Sequence, residues 1–170
     1  MAEMSFAVYQ STQPQLPVRF EYPADWEVED SRGTQEAYTQ VQVYGPASLD
    51  DRLRTYLSVR AIPPHVEGGR YASLAEMIES YEQTVMPTFR IDQRQQIDLL
   101  GVTATQLDLS GTLSLPWEPA RSTPVPVKSQ RLFFEKDGRL YELSWMATPE
   151  AAPTAQAAFA RLLQTLTLTP

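Results

Sequence analysis

The chain has 170 residues, of which 42% are hydrophobic and 21% charged, and its formal net charge is −7. These values fit one soluble globular domain spanning 1–170, and the negative charge makes nucleic acid and anionic lipid poor partners. The absence of cysteine excludes disulfides, thiol catalysis, cysteine-based zinc sites and iron–sulfur clusters.

The N-terminus carries no export signal that can be recognised in the sequence. It has neither a basic segment nor an apolar stretch, and no run approaches the about 20 apolar residues of a membrane helix. We therefore expect no membrane insertion. The expected location is cytoplasmic if the chain is complete, and exported or lipid-anchored if an N-terminal signal was trimmed.

Alternating apolar and polar residues predict short strands in the first half of the chain. Proline and glycine mark where they end: Pro23 closes the second strand and Gly45-Pro46 closes the fourth. A polar stretch at 29–36 predicts a loop between the third and fourth strands. The predicted strands cover residues 6–9, 18–22, 26–28, 37–44 and 56–62.

One helix and two long strands are predicted next. Ser73 and Glu76 form a capping box, so a helix is expected over 74–86 before Pro87. Residues 89–97 alternate through Ile91 and Ile97. Residues 102–115 form a longer apolar pattern, in which Gly111 is a candidate bulge.

A hairpin at 131–146 organises the C-terminal third. Asp137-Gly138 is a strong type I′ turn signal, since glycine accepts a positive φ without strain. After the turn, Tyr141, Leu143 and Trp145 alternate with polar residues, which predicts a strand with one buried face. A helix begins near Pro149, its first turn separate from the main helix because of Pro153, and buries Phe159.

Catalytic and metal-binding chemistry has few candidates. His65 is the only histidine, so we predict no catalytic residues, no metal site and no cofactor. Glu27 and Glu29 share one face of a strand and could act as an acid and a base. Because a chain this acidic carries such pairs by chance, we instead predict that they line a solvated face.

A proline-rich loop at 116–126 is the one candidate binding site. Trp117, Glu118 and Arg121 lie there, outside any apolar period. A Trp beside an Arg is typical of an interface anchor, and prolines lower the entropy lost on ordering a loop. The alternative is that Trp117 packs over a sheet edge.

Three segments in order resemble the PsbP-like superfamily. They are 20–26 (Phe-Glu-Tyr-Pro-Ala-Asp-Trp), the helix opened by Ser73 and Glu76, and 138–143 followed by the C-terminal helix. The resemblance implies an α+β fold: an antiparallel sheet of about six or more strands with helices on both faces, an α/β/α sandwich. Superfamily members mostly bind or help to assemble other proteins rather than catalyse reactions, and many are uncharacterised bacterial proteins.

We therefore expect a non-enzymatic protein-binding or assembly module with another protein as partner, and the sequence leaves its oligomeric state open. The alternative is a carrier of a small apolar ligand, with a cleft between helix 74–86 and the sheet, near Tyr81 and Trp145. A third reading is a hydrolase that uses Glu27 and Glu29.

Overall fold

The computed structural model describes residues 3–32, 38–48, 52–85, 88–114 and 124–169. Over these ranges the chain is α+β, as predicted. The strands are β1 (Phe6–Gln10), β2 (Val18–Pro23), β3 (Glu27–Arg32), β4 (Thr39–Ala47), β5 (Arg54–Ile62), β6 (Phe89–Leu99), β7 (Val102–Leu113), β8 (Val125–Lys136), β9 (Arg139–Ala147) and β10 (Thr167–Leu168). The helices are α1 (Leu74–Val85) and α2 (Ala152–Thr165), and a 3₁₀ turn spans His65–Glu67.

Seven strands form the main antiparallel sheet in the order β3-β4-β5-β9-β8-β7-β6. The predicted hairpin is β8–β9, which places β9 at the centre of the sheet. Asp137 and Gly138 have φ values of 53° and 78°, the positive pair that a type I′ turn requires. The turn chemistry therefore sets the pairing of the two central strands.

A second sheet of three strands, β1-β2-β10, was not predicted as a separate unit. The chain's final segment pairs with β2 through Thr167 and Leu168. Tyr9 on β1 donates a hydrogen bond of 2.7 Å to Asp30 on β3, and this bond links the two sheets.

Adjacent residues of the central strands contribute to two separate hydrophobic clusters. Phe134 and Tyr141 pack in the cluster that contains Phe159 of α2, whereas Phe133 and Leu140 pack in the cluster that contains Met77 of α1. Successive side chains in a strand point to opposite faces. We call these faces the α2 side and the α1 side. The three-stranded sheet joins α2 on its side, through the buried Val18 and Phe20 of β2.

Two strand ends differ from the prediction. β3 continues to Arg32, and β4 continues through Gly45-Pro46 to Ala47, where its register with β5 shifts. A Cβ on Gly45 would lie 2.8 Å from the ring of Trp26. The glycine thus permits a close ring contact rather than ending the strand.

The predicted bulge at Gly111 is wrong, because Gly111 pairs regularly with both neighbouring strands. The irregularity lies in β6, between Ile91 and Gln93. One extra residue reverses the alternation, so Ile91 packs on the α1 side and Ile97 on the α2 side. Both ends of this edge strand are thereby anchored in a core.

The N-terminal ends of both helices agree with the predicted pattern, with a cap at Ser73 and a separate turn at Pro149 before α2. The amide of Glu76 donates to Ser73 Oγ at 3.1 Å, as the predicted capping box requires. The return bond of the box is shifted by one residue, because the Glu76 carboxylate accepts from the amide of Ala72 at 2.8 Å. α2 begins at Ala152, with Pro153 in its first turn, and Pro149 lies in a preceding turn. Neither described helix is long and apolar enough to span a membrane.

Candidate binding surface

The α1 side of the main sheet is only partly covered by its helix. Among the strands, α1 makes its most extensive contacts with β8. Tyr44, Tyr56 and Arg60 on β4 and β5 remain partly exposed. We call this surface the tyrosine–arginine face; it consists of Tyr38, Gln40, Gln42, Tyr44, Tyr56, Ser58, Arg60, Arg131, Glu142 and Ser144.

The register of the sheet arranges these residues in rows across the strands. An aromatic row runs from Tyr44 to Tyr56, and an ionic row runs from Gln40 through Arg60 to Glu142. Between them, a third row runs through Gln42, Ser58, Ser144 and Arg131. Period-two alternation places these side chains on one face, and the strand order and register then make them neighbours.

Glu142 lies between two arginines at the centre of the face. Its side chain is 8% exposed; one carboxylate oxygen pairs with Arg131, and the other lies 3.7 Å from Arg60 Nη1. Arg60 also donates to Gln40 Oε1 at 3.0 and 3.3 Å. The two guanidiniums therefore hold the Glu142 carboxylate in one position through charge-assisted contacts.

Tyrosine rings stack on the guanidinium groups of the face. Arg60 lies 4.1 Å from the ring centroid of Tyr38, and Arg131 lies 5.1 Å from that of Tyr81 on α1. Tyr44 and Tyr56 are neighbours, with ring centroids 6.3 Å apart. Each ring holds a charged or aromatic neighbour in place, and cation–π contacts of this kind favour a fixed orientation.

Burial and nearby charges act against each other at Arg131. Burial alone would lower the pKa of Arg131, but Glu142 and the neighbouring tyrosines more than offset that effect, so this pKa lies above its usual value. Burial raises the pKa of Tyr81. Arg131 is therefore charged and Tyr81 neutral throughout the physiological range.

Two polar atoms in this network lack a hydrogen-bond partner among the described residues. They are Arg131 Nε and Ser144 Oγ, both buried, on residues that face each other directly across β8 and β9. Ser144 is 1% exposed. Because a buried polar group normally has a partner, these two atoms are the unsatisfied part of the network.

The predicted loop residues Trp117, Glu118 and Arg121 lie outside the described residues. The strands that bound the loop end in a small apolar cluster on the α1 side, where Leu113 and Val125 pack with Tyr56 and Met146. Leu113 and Val125, the described residues on either side of the loop, therefore adjoin the tyrosine–arginine face.

Glu27 and Glu29 share one face of β3, as predicted. They pair with Tyr44 and Gln42 of β4, so they border the tyrosine–arginine face. Glu27 is 75% exposed and forms an ion pair of 3.0 Å with Arg54. This contact with solvent and with an arginine fits the predicted solvated face.

The prediction that Tyr81 and Trp145 line one cleft is wrong, because the two residues do not share a face of the sheet. Trp145 packs in the α2-side cluster and donates from its indole nitrogen to Gln130 at 2.8 Å. Tyr81 instead contacts Phe133 on the α1 side, with ring centroids 5.3 Å apart. The pair therefore lies on opposite sides of the sheet, since Phe133 and Trp145 belong to different clusters.

The sequence prediction missed Glu142 and Ser144 because it assigned them to a solvated face. In the structure they are 6% and 1% exposed. The available signal was their position in the strand after the hairpin turn, which flanks a strand that is apolar on both faces. The arginine partners Arg60 and Arg131 could not be assigned to Glu142 without the strand order.

Neither a family model nor any curated protein sequence matches the chain. Among solved structures, LpqN of Mycobacterium tuberculosis, involved in cell envelope biogenesis, is 16% identical with a TM-score of 0.58, over 99% of this chain and 93% of that chain. Cyanobacterial PsbP (CyanoP) of Synechocystis is 12% identical with a TM-score of 0.57, over 98% and 94%. The Ran-binding protein Mog1p of Saccharomyces cerevisiae is 9% identical with a TM-score of 0.55, over 98% and 96%.

These similarities extend over nearly the whole of each chain, at sequence identities that carry information about fold alone. The chain therefore has the PsbP-like fold, which confirms the resemblance found in its sequence.

Proposed function

We propose that the chain is a non-enzymatic protein-binding module and that its partner docks on the tyrosine–arginine face. The observation that carries this proposal is the group of partly exposed tyrosines held against arginines beside a buried ion network. Tyrosine and arginine are enriched among the residues that dominate binding energy at interfaces.

The geometry of the face supports a preorganised surface. Tyr38, Tyr44 and Tyr81 each lie against a guanidinium, so binding would order few additional rotamers. Lower ordering cost leaves more of the contact energy available as affinity. The polar groups around the rings supply the hydrogen bonds that give an interface its specificity.

The buried carboxylate supports a binding role over a catalytic one. Both carboxylate oxygens of Glu142 lie against arginines, and its side chain is 8% exposed, so neither oxygen is free to reach a substrate. Glu27 pairs with Arg54 and is largely exposed. General acid–base catalysis needs a carboxylate oxygen within hydrogen-bond reach of the substrate proton.

The named structural neighbours support the same class of function. Mog1p is a Ran-binding protein, and LpqN is involved in cell envelope biogenesis. Both descriptions are compatible with an accessory protein that works through contacts with others.

Affinity purification of the whole chain from cells of its source tests the proposal. Tyr44→Ala and Tyr56→Ala should each lower recovery of a specific partner at least about tenfold, since truncating an interface anchor costs about 2 kcal/mol or more. Gln156→Ala, at an exposed position on α2, is the matched control and should retain the partner. Equal retention by the Tyr44 and Tyr56 variants would refute docking on this face.

The loop prediction enters the same experiment as a second location for the partner. Trp117→Ala and Arg121→Ala should lower recovery if the loop at 116–126 extends the docking surface beside Tyr56. Loss of the partner with these two variants alone would assign the binding site to the loop instead of the face.

A further inference from the structure

The ion network on the tyrosine–arginine face has an excess of one positive charge. Arg60 and Arg131 carry two charges, and Glu142 is the carboxylate between them. Arg131 is 16% exposed, so water screens its charge only weakly. A partly buried excess charge is stabilised when an opposite charge approaches it.

Two unused atoms lie next to this excess charge. Arg131 Nε is an N–H donor, and Ser144 Oγ can donate through its hydroxyl. The two residues are directly paired across β8 and β9. Two donors beside a positive charge match a carboxylate, which only accepts hydrogen bonds and carries one negative charge.

We propose that this position receives the carboxylate of an aspartate or glutamate side chain of the partner. One carboxylate oxygen accepts from Arg131 Nε and Ser144 Oγ, while the charge completes a network of two guanidiniums and two carboxylates. This inference rests on the proposed function, because it assigns the chemistry of the group that the partner inserts into the face.

Access runs beside the partly exposed side chains of the face. Arg60 is 28% exposed, and Tyr56, on the same strand as Ser58 and near Arg131, is partly exposed. The chain's net charge of −7 does not prevent this approach, since charges farther than about 8 Å apart are largely screened at physiological salt.

Ser144→Ala separates this proposal from a purely structural hydroxyl. Without a partner, the variant should unfold at a slightly higher urea concentration, because it removes a buried hydroxyl that lacks a hydrogen bond. With the partner, its affinity should fall about tenfold, since a hydrogen bond to a charged group is lost. Ser114→Ala, at an exposed position after β7, is the matched control and should change neither measurement.

A buried water bound between the two atoms predicts the opposite signs. In that case Ser144→Ala would lower the urea midpoint and leave partner affinity unchanged, and this result would overturn the proposal.

A titration of the purified chain tests the anion site independently of any partner. The Nε–H resonance of Arg131 should shift saturably with sodium acetate, and the apparent affinity should fall about tenfold in Ser144→Ala. Sodium chloride at equal ionic strength should leave the resonance unchanged. No saturable shift with acetate, or an equal response to inorganic phosphate, would overturn the assignment to a carboxylate.

These two readouts distinguish the inference from the proposed function. If Tyr44→Ala abolishes partner binding while Ser144→Ala and acetate have no effect, the face still binds a protein and the carboxylate assignment falls. If no face variant alters partner recovery, the proposed function falls, and the acetate titration still reports on the anion site.

Discussion

Glu142 sits at the centre of the main sheet, with arginine partners on both neighbouring strands, β5 and β8. A buried ion pair adds little net stability against a well-packed apolar alternative, because both charges lose their hydration. Once it is built, however, removal of one member leaves the remaining charge unpaired. The network therefore specifies strand register and side-chain position more than it raises stability.

Glu142→Gln should lower the free energy of unfolding by about 3–5 kcal/mol, because it leaves Arg60 and Arg131 adjacent without a carboxylate. Urea denaturation measures this loss. Glu27→Gln, which breaks an exposed ion pair, is the control and should cost less than about 1 kcal/mol. Similar small losses in both variants would contradict the buried network.

Tyr9 links the two sheets through a hydrogen bond that depends on its proton. Burial, followed by the hydrogen bond to Asp30, raises the pKa of Tyr9. In the unfolded chain the pKa is about 10, so above that pH only the unfolded state releases this proton. Stability is then complete below pH about 10 and falls as the pH rises further.

Between pH 9.5 and 11, the free energy of unfolding should fall less steeply with pH in Tyr9→Phe than in the parent chain. The two slopes should differ by up to about 1 kcal/mol per pH unit. Chemical denaturation at a series of pH values measures the slope for both proteins. The variant's own stability at pH 8 serves as its reference, since loss of the bond to Asp30 changes the offset and not the slope. Parallel pH profiles would refute a raised Tyr9 pKa.

At the scale of secondary structure, α1 determines how much of the tyrosine–arginine face is open. Its buried residues Met77 and Ile78 fix it over the α1-side cluster, and Tyr81 then reaches Arg131. The capping box holds the first turn of this helix in place. A change at the cap should therefore lower the stability of the fold directly. It should alter the face only indirectly, through the position of Tyr81 on α1.

Ser73→Ala should lower the free energy of unfolding by about 1 kcal/mol, since the amide of Glu76 loses its acceptor. Ser73→Asp should retain most of the stability, because aspartate also caps a helix and favours its N-terminal end. Urea denaturation of the two variants and the parent chain makes the comparison. Unchanged stability in Ser73→Ala would show that the cap does not contribute.

The sequence predicted elements best where local chemistry decides them. The Asp137-Gly138 turn and the Ser73 cap depend on a few adjacent residues, and both form as predicted. Gly45 and Gly111 were misread, because their role is a close approach to Trp26 and to Thr88–Phe89, which no local pattern contains. The bulge at Asp92 was missed for a similar reason. It allows Ile91 and Ile97 to pack in cores on opposite faces of the sheet, and no local sequence pattern contains that requirement.

At the scale of the whole molecule, the tyrosine–arginine face could not be predicted because its rows cross four strands. Gln40, Arg60, Glu142 and Arg131 become neighbours only through the order β4-β5-β9-β8. Period-two alternation indicated which residues share a face of one strand. It carries no information on which strands are adjacent. The sequence therefore predicted that Glu142 and Ser144 of β9 face solvent, although both are buried.

The fold itself leaves many functions open, because one architecture supports unrelated sites. In this chain the α2 side is closed by α2 and the three-stranded sheet, whereas the α1 side leaves β4 and β5 partly exposed. The molecule is thus asymmetric about its main sheet. This asymmetry, rather than any single residue, directs the proposed partner to one side.

Site-specific photo-crosslinking in cells of the source tests that claim most directly. A benzophenone amino acid at Tyr44 should form a covalent adduct with one partner protein, and the same amino acid at Gln156 on the exposed surface of α2 should not. The adduct at Tyr44 should disappear when Arg60→Ala is combined with it, since Arg60 shares the face. An adduct formed only from Gln156, or equally from both positions, would contradict docking on the tyrosine–arginine face.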